Sequence, residues 1–146
     1  MLSHRTPYRV IYGDTDAMGV VYNANYLRLF EIGRGELFRS LGFTYKNIEE
    51  MGYFLPLSEV NCKYLSSARY DDEIVIEATL DSSVKAGVKF KYVIYRKADM
   101  EPVAKGSTLH AFVNGEGRVV RPPSLFKQVV AAAEMKIRDA ARQAAP

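Results

Sequence analysis

A single change of hydrophobic period decides what this chain can fold into. Tyr26, Phe30, Gly33, Leu37 and Leu41 recur at spacings of three and four residues, which predicts one amphipathic helix over 24–41. Arg28, Glu31, Arg34 and Glu36 fall elsewhere on that helical wheel. Gly33 and Gly35 each cost about 1 kcal/mol in a helix relative to alanine, so their presence predicts close approach to a sheet or a partner. Gly42 ends the helix as a left-handed cap. Thr44 is placed to cap a short second helix that runs to Met51 and is closed by Gly52. Beyond it the period becomes two.

Residues 55–65 and 73–85 are strand-like runs separated by the polar stretch SSARYDD. Lys85, Ala86 and Gly87 form a tight connection, after which Val88, Phe90, Tyr92 and Ile94 alternate with Lys89 and Lys91. The chain turns again at 98–102, and 103–114 is another long strand ending in the Asn114-Gly115 turn signal. Upstream, 9–12 reads as a first strand after Pro7. Downstream, Pro122-Pro123 breaks the sheet. Ser124 then caps an alanine-rich helix to about residue 142, with Leu125, Val129, Ala132, Ala133 and Ile137 along one side. Strand, long helix, short helix, four strands, final helix: this order predicts an α+β domain in which the early helix buries its stripe against an antiparallel sheet.

At 146 residues the chain is expected to form one domain, spanning 1–146. The net charge of +3 is mildly basic, but the lysines and arginines are scattered, which argues against nucleic acid as the partner. The one cysteine, Cys62, permits no intrachain disulfide and sits in an apolar alternating run, as a buried inert thiol would. His4 and His110 are far apart, so no metal-ligand spacing exists, and no cofactor is implied. No apolar run approaches the roughly 20 residues needed to span a bilayer. The N-terminus has no apolar stretch of signal-peptide length, and a cytoplasmic location is the expectation.

The chemistry concentrates in YGDTDAMGVVYNANY, residues 12–26. Asp14 and Asp16 lead through Gly19 into the start of the long helix, which sets an anionic side chain beside a row of unpaired helix N–H donors. That pairing suits attack on a carbonyl whose oxygen gains charge. The spacing alone is equally compatible with two aspartates that stabilise a turn and cap the helix.

The string DTDAMGVVYNANYLRLFEIGR, joined to this strand order, resembles the hotdog-fold acyl-CoA thioesterases, nearest to the 4-hydroxybenzoyl-CoA thioesterase-like family. ARYDDEI before the third strand, GSTLHAFVN in the fifth and GRVVRPP after it extend the likeness over about residues 8–123. The resemblance implies a long helix wrapped by a curved antiparallel sheet of five or six strands. It also implies hydrolysis of an acyl thioester to free acid and coenzyme A, and a homodimer or tetramer with its site between subunits. It assigns the catalytic carboxylate to Asp16 and the main-chain donor to the thioester oxygen to Asn23. Many relatives carry histidine at position 23. Asparagine does not titrate near neutrality and acts only by hydrogen bonding.

Asp16 has two routes, direct attack to give a mixed anhydride or deprotonation of a water, and the sequence does not separate them. Asp14 keeps a structural role. Gly19 is expected to supply a backbone shape closed to other residues. Tyr22 and Asn25 line the acyl pocket or fix where the chain enters the helix, and Tyr26 packs in the core. For the phosphates of coenzyme A, Arg118 is the first choice, then Arg121, Lys89 and Lys91, each of which is otherwise a solvated charge. A non-catalytic module that binds acyl-CoA or acyl-carrier protein is the rival reading. A hotdog dehydratase is disfavoured because such relatives pair a histidine with an acid, and neither His4 nor His110 lies in that context. Acyl preference, carrier protein against coenzyme A, and dimer against tetramer lie beyond the sequence.

Overall fold

The computed structural model describes residues 2–84 and 86–145. Five strands, β1 (Leu2–Arg9), β2 (Leu57–Tyr64), β3 (Glu73–Asp81), β4 (Val88–Arg96) and β5 (Glu101–His110), form one antiparallel sheet in the order β1-β3-β4-β5-β2. Helix α1 (Asn25–Ser40) lies on its inner face, followed by α2 (Tyr45–Glu50), and α3 (Ser124–Ala144) closes the chain. This is the α+β order that the period change predicts and the hotdog arrangement that the resemblance implies, with five strands. The expected tight connection after β3 begins at Lys85, which lies outside the described residues.

Several boundaries differ from the sequence reading: β3 ends at Asp81 and not at 85, and β5 is Glu101–His110 and not 103–114. The first strand is Leu2–Arg9 instead of 9–12, with Pro7 inside it. Proline is tolerated there because β1 is an edge strand, paired with β3 alone. Residues Tyr12–Asp14 instead form a single 3-10 turn. At the other end, Ser124 does not cap α3. The N-cap position is Pro123, without a side-chain cap. The predicted stripe of α3 is buried only in part: Ala133 packs against the core beside Phe126 and the buried Val130, whereas Leu125 and Ile137 are about half exposed.

The stripe of α1 behaves as its spacing requires. Tyr26, Phe30, Gly33 and Leu37 are buried, joined by Leu29 and Phe38. Phe30 stacks on Tyr92 of β4 at 4.3 Å between ring centroids. Gly33 is a contact surface: a Cβ there would lie 2.6 Å from Cγ2 of Ile76, so α1 sits on β3 at a spacing that only glycine allows. Gly35 has open space around it within the chain. Thr44 caps α2 reciprocally with Asn47, at 3.1 and 3.0 Å.

Arg34 departs from the helical wheel. Its guanidinium turns inward and donates to the hydroxyls of Tyr45 (2.9 Å) and Tyr92 (3.5 Å). Tyr92 donates to Thr108 (2.6 Å), Thr108 to Nε2 of His110 (2.9 Å), and Nδ1–H of His110 to the carbonyl of Leu55 (3.2 Å). The Leu55 carbonyl can only accept, so it fixes this tautomer and orients every proton in the chain. A polar group without a partner would be costly here, and this network supplies partners from α1 to β5.

His110 is 2% exposed, and burial, reinforced by the Arg34 cation, lowers its pKa from 6.5 to about 4 against the opposing bond to Leu55. Between those values the unfolded chain binds a proton that the folded chain refuses. Stability is therefore full above pH 6.5, falls as the pH drops towards 4 by about 3 kcal/mol, and levels off below that. Urea unfolding across this range will show that slope, and its His110 component will be absent from His110→Gln.

Candidate active site

Two loops are zipped together at one end of the sheet. Val10 N–H donates to Asp72 O and Asp71 N–H to Val10 O, both at 2.9 Å, and Val21 N–H donates to Ala68 O at 2.9 Å. A bridge joins Val20 to Arg69. The segment between Val10 and Val21 is thus held flat against the ARYDD segment.

Asp14 is the knot in this segment, only 1% exposed. Its carboxylate accepts from the Tyr8 hydroxyl (2.8 Å), from Ile11 N–H (2.9 Å) and from the guanidinium of Arg28 on α1. Its carbonyl accepts from Tyr22 N–H and from Nδ2 of Asn25, each at 2.8 Å. Burial, with help from Asp14, raises the Tyr8 phenol above its usual pKa and keeps it a donor.

Asp16 is arranged differently. It opens a tight turn in which Gly19 N–H returns to the Asp16 carbonyl at 3.0 Å, and Gly19 sits at φ +77° as expected. One carboxylate oxygen, Oδ1, accepts from Met18 N–H at 2.8 Å. The other carboxylate oxygen, Oδ2, accepts nothing among the described residues, and the side chain is part-exposed. The structural and chemical readings thus divide between two oxygens of one side chain.

The start of α1 is left open. Its N-cap, Ala24, provides no side-chain cap. Asn25 N–H donates to Tyr22 O, but the N–H groups of Asn23 and Ala24 find no acceptor among the described residues. The Asn23 carbonyl accepts from the Tyr64 hydroxyl of β2 at 2.9 Å, which anchors this first turn to the sheet. Two free donors point out of a helix end that carries positive partial charge.

Of the other expected residues, Asn25 fixes the start of the helix through its bond to Asp14, and Tyr22 is about half exposed beside it. Tyr26 packs edge-on to Tyr64, its phenol pushed up to about 12 by burial. Cys62 is half-buried, with burial pushing its thiol up. The four expected cations lie elsewhere. Lys89 pairs in register with Asp81, and Lys91 makes an ion pair with Asp81 at 3.4 Å, both at the end of β3 opposite the Asp16 loop. Arg118 and Arg121 follow the same far end of β5, and Arg118 leans towards Glu116 at 3.7 Å. Within this chain the fold does not bring these four to Asp16. Sequence reasoning missed Tyr8, Arg28, Tyr64 and Arg69. Arg28 was legible only as a charge off the apolar stripe of α1 and Arg69 only as part of ARYDDEI, and nothing local marked Tyr8 or Tyr64.

Replacing the knot tests it. Asp14→Ala strands three donors and is expected to cost about 3 kcal/mol by urea unfolding, while Asp14→Asn, which still accepts, costs about half of that. An Asp14→Ala protein as stable as its parent would refute the role.

Comparison with known proteins agrees with this fold. The sequence matches the Thioesterase-like superfamily over residues 10–136. A putative esterase of Aquifex aeolicus is 35% identical over 122 residues, 84% of this chain and 93% of that protein. The putative acyl-CoA thioesterase YneP of Bacillus subtilis is 34% identical over 107 residues, 73% of this chain and 77% of that protein. A crystal structure of a hypothetical protein from Aquifex aeolicus superposes with a TM-score of 0.80 at 32% identity, covering 86% of this chain and 98% of that one. With the family matched across most of its length and the fold reproduced, the chain belongs to the thioesterase-like superfamily.

Proposed function

We propose that this hotdog thioesterase hydrolyses acyl-CoA thioesters, with Asp16 as the attacking or proton-accepting group and the N–H of Asn23, joined by that of Ala24, receiving the carbonyl oxygen. The observation that carries this reading is a free Asp16 oxygen in the same loop as Asp14, to whose carbonyl Asn25 ties the uncapped helix end. A thioester is an activated acyl group with a fair leaving group, so one carboxylate and one oxyanion site suffice.

Two balanced routes follow. In the first, Asp16 adds to the carbonyl carbon, the C–S bond breaks with its electron pair on sulfur, and the thiolate takes a proton from solvent. Water then opens the mixed anhydride and restores Asp16. In the second, Asp16 removes a proton from water as its oxygen adds to the carbon, and the thiolate leaves with that proton. In both, negative charge builds on the former carbonyl oxygen, where a single well-placed donor is worth about 10²–10³ in rate. Asn23 contributes its backbone N–H here and no titrating side chain.

The reading extends to a homo-oligomer in the cytoplasm, built from this one hotdog domain. Edge strand β2 supports it: its outer side is unpaired among the described residues, and Leu57, Val60 and Tyr64 are 37–51% exposed along it. A second copy paired there would cover these side chains and bring a second set of residues towards the start of α1, which Tyr64 contacts.

The test is thiol release from a panel of acyl-CoA thioesters by the parent and by Asp16→Asn. The variant is expected to fold and oligomerise as the parent does and to lose at least about 10² in kcat. Full activity in Asp16→Asn would move the chemistry to another group, and a parent that cleaves no thioester but binds them would favour the non-catalytic module.

A further inference from the structure

One feature of the zipped loops takes no part in the chemistry above. Arg69 lies on the bridge to Val20, and its guanidinium covers the Gly19 turn, with Nη1 3.7 Å from where a Cβ on Gly19 would stand. Its neighbours are all engaged. Arg9 pairs with Asp71 and Glu73, Arg28 with Asp14, and Arg96 with Asp99 and the Ser67 carbonyl. Arg69 has no ion pair and donates no side-chain hydrogen bond among the described residues, although Asp72 is at hand. That carboxylate instead accepts the Arg69 backbone N–H, at 2.8 Å. The loop thus consumes its own acids and leaves one cation free beside the Asp16 turn.

The residue after Arg69 adds a second feature. The rings of Tyr70 and Tyr12 stack at 3.9 Å with 6° between their planes, and Tyr12 remains 74% exposed. A rigid pair of parallel rings facing water is a ready stacking platform for a planar base, and a guanidinium at its edge is suited to phosphate.

We infer that Arg69 and the Tyr12–Tyr70 pair form the subsite for the nucleotide end of coenzyme A, Arg69 taking a phosphate and the exposed face of Tyr12 the adenine. This rests on the acyl-CoA thioesterase reading and deepens it. Because Arg69 stands so close to the Asp16 turn, the pantetheine arm must fold back over Gly19, and the coenzyme binds bent.

The experiment compares one acyl group carried on N-acetylcysteamine, which has no phosphate, on phosphopantetheine, which has one phosphate but no base, and on coenzyme A. Arg69→Gln is expected to raise KM for both phosphate-bearing thioesters by about tenfold or more, with kcat and the N-acetylcysteamine reaction within about twofold of the parent. Tyr12→Ala is expected to raise KM about fivefold for the coenzyme A thioester alone. Both side chains are exposed, so circular dichroism will show an unchanged fold. An equal loss on all three thioesters would place Arg69 at the reacting carbonyl, and no change on any would place the phosphate cations elsewhere. Either result overturns the subsite. Calorimetry with free coenzyme A reads it without turnover: a parent that binds coenzyme A about tenfold more tightly than Arg69→Gln supports it even if no thioester is cleaved, and equal binding refutes it.

Discussion

The side chain of Asp14 ties together three pieces of chain that have no other reason to meet. Tyr8 brings the end of β1, Ile11 N–H the turn that follows it, and Arg28 the second turn of α1. Its carbonyl adds Tyr22 and Asn25 at the start of the same helix. A carboxylate can be buried to this degree only when donors surround it, and these donors come from every element that frames the site. The position of Asp16 relative to the first turn of α1 therefore depends on Asp14, although Asp14 is too enclosed to meet a substrate.

The open end of α1 is the complement to that knot. A serine or aspartate at the N-cap would stabilise the helix by about 1 kcal/mol and accept from the N–H of Tyr26 or Leu27. Ala24 does neither. The helix is instead held by Asn25 reaching back to Asp14 and by Tyr64 binding the Asn23 carbonyl, contacts that use side chains and a C=O and leave two N–H groups unspent. For the proposed oxyanion site this holds the donors in place before any ligand arrives, which is the condition under which such donors act without reorganisation. The same division recurs in Asp16, where Oδ1 stiffens the turn through Met18 and Oδ2 is left over.

Periodicity made the sheet and the long helix legible, because burial of one face leaves a pattern that survives in a single sequence. The glycine at 33 was informative for the same reason: its cost in a helix is unexplained until Ile76 is placed against it. Reading failed where tertiary contact overrides local pattern. Pro7 appeared to forbid a strand that the sheet edge accepts. Arg34 has a solvent-facing position on a wheel drawn without Tyr45 and Tyr92, and the stripe of α3 was drawn without knowing which side meets Phe112 and Phe38. At the site, the D-x-D spacing marked the loop and the family likeness distinguished the two aspartates. Tyr64 is far from it in sequence, Tyr8 stands six residues before Asp14 without a local mark, and Arg69 was legible only as part of ARYDDEI. Arg118 was chosen because relatives of the resembling family carry a basic residue there, and within one chain it and the cations of β4 lie at the end of the sheet away from Asp16.

A crystal structure of Asp16→Asn soaked with an intact acyl-CoA would test the central claim most directly. The account predicts the thioester oxygen within about 3 Å of the N–H of Asn23 or Ala24 and the carbonyl carbon facing residue 16. A thioester seated away from the start of α1, with both N–H groups still turned to water, would contradict it.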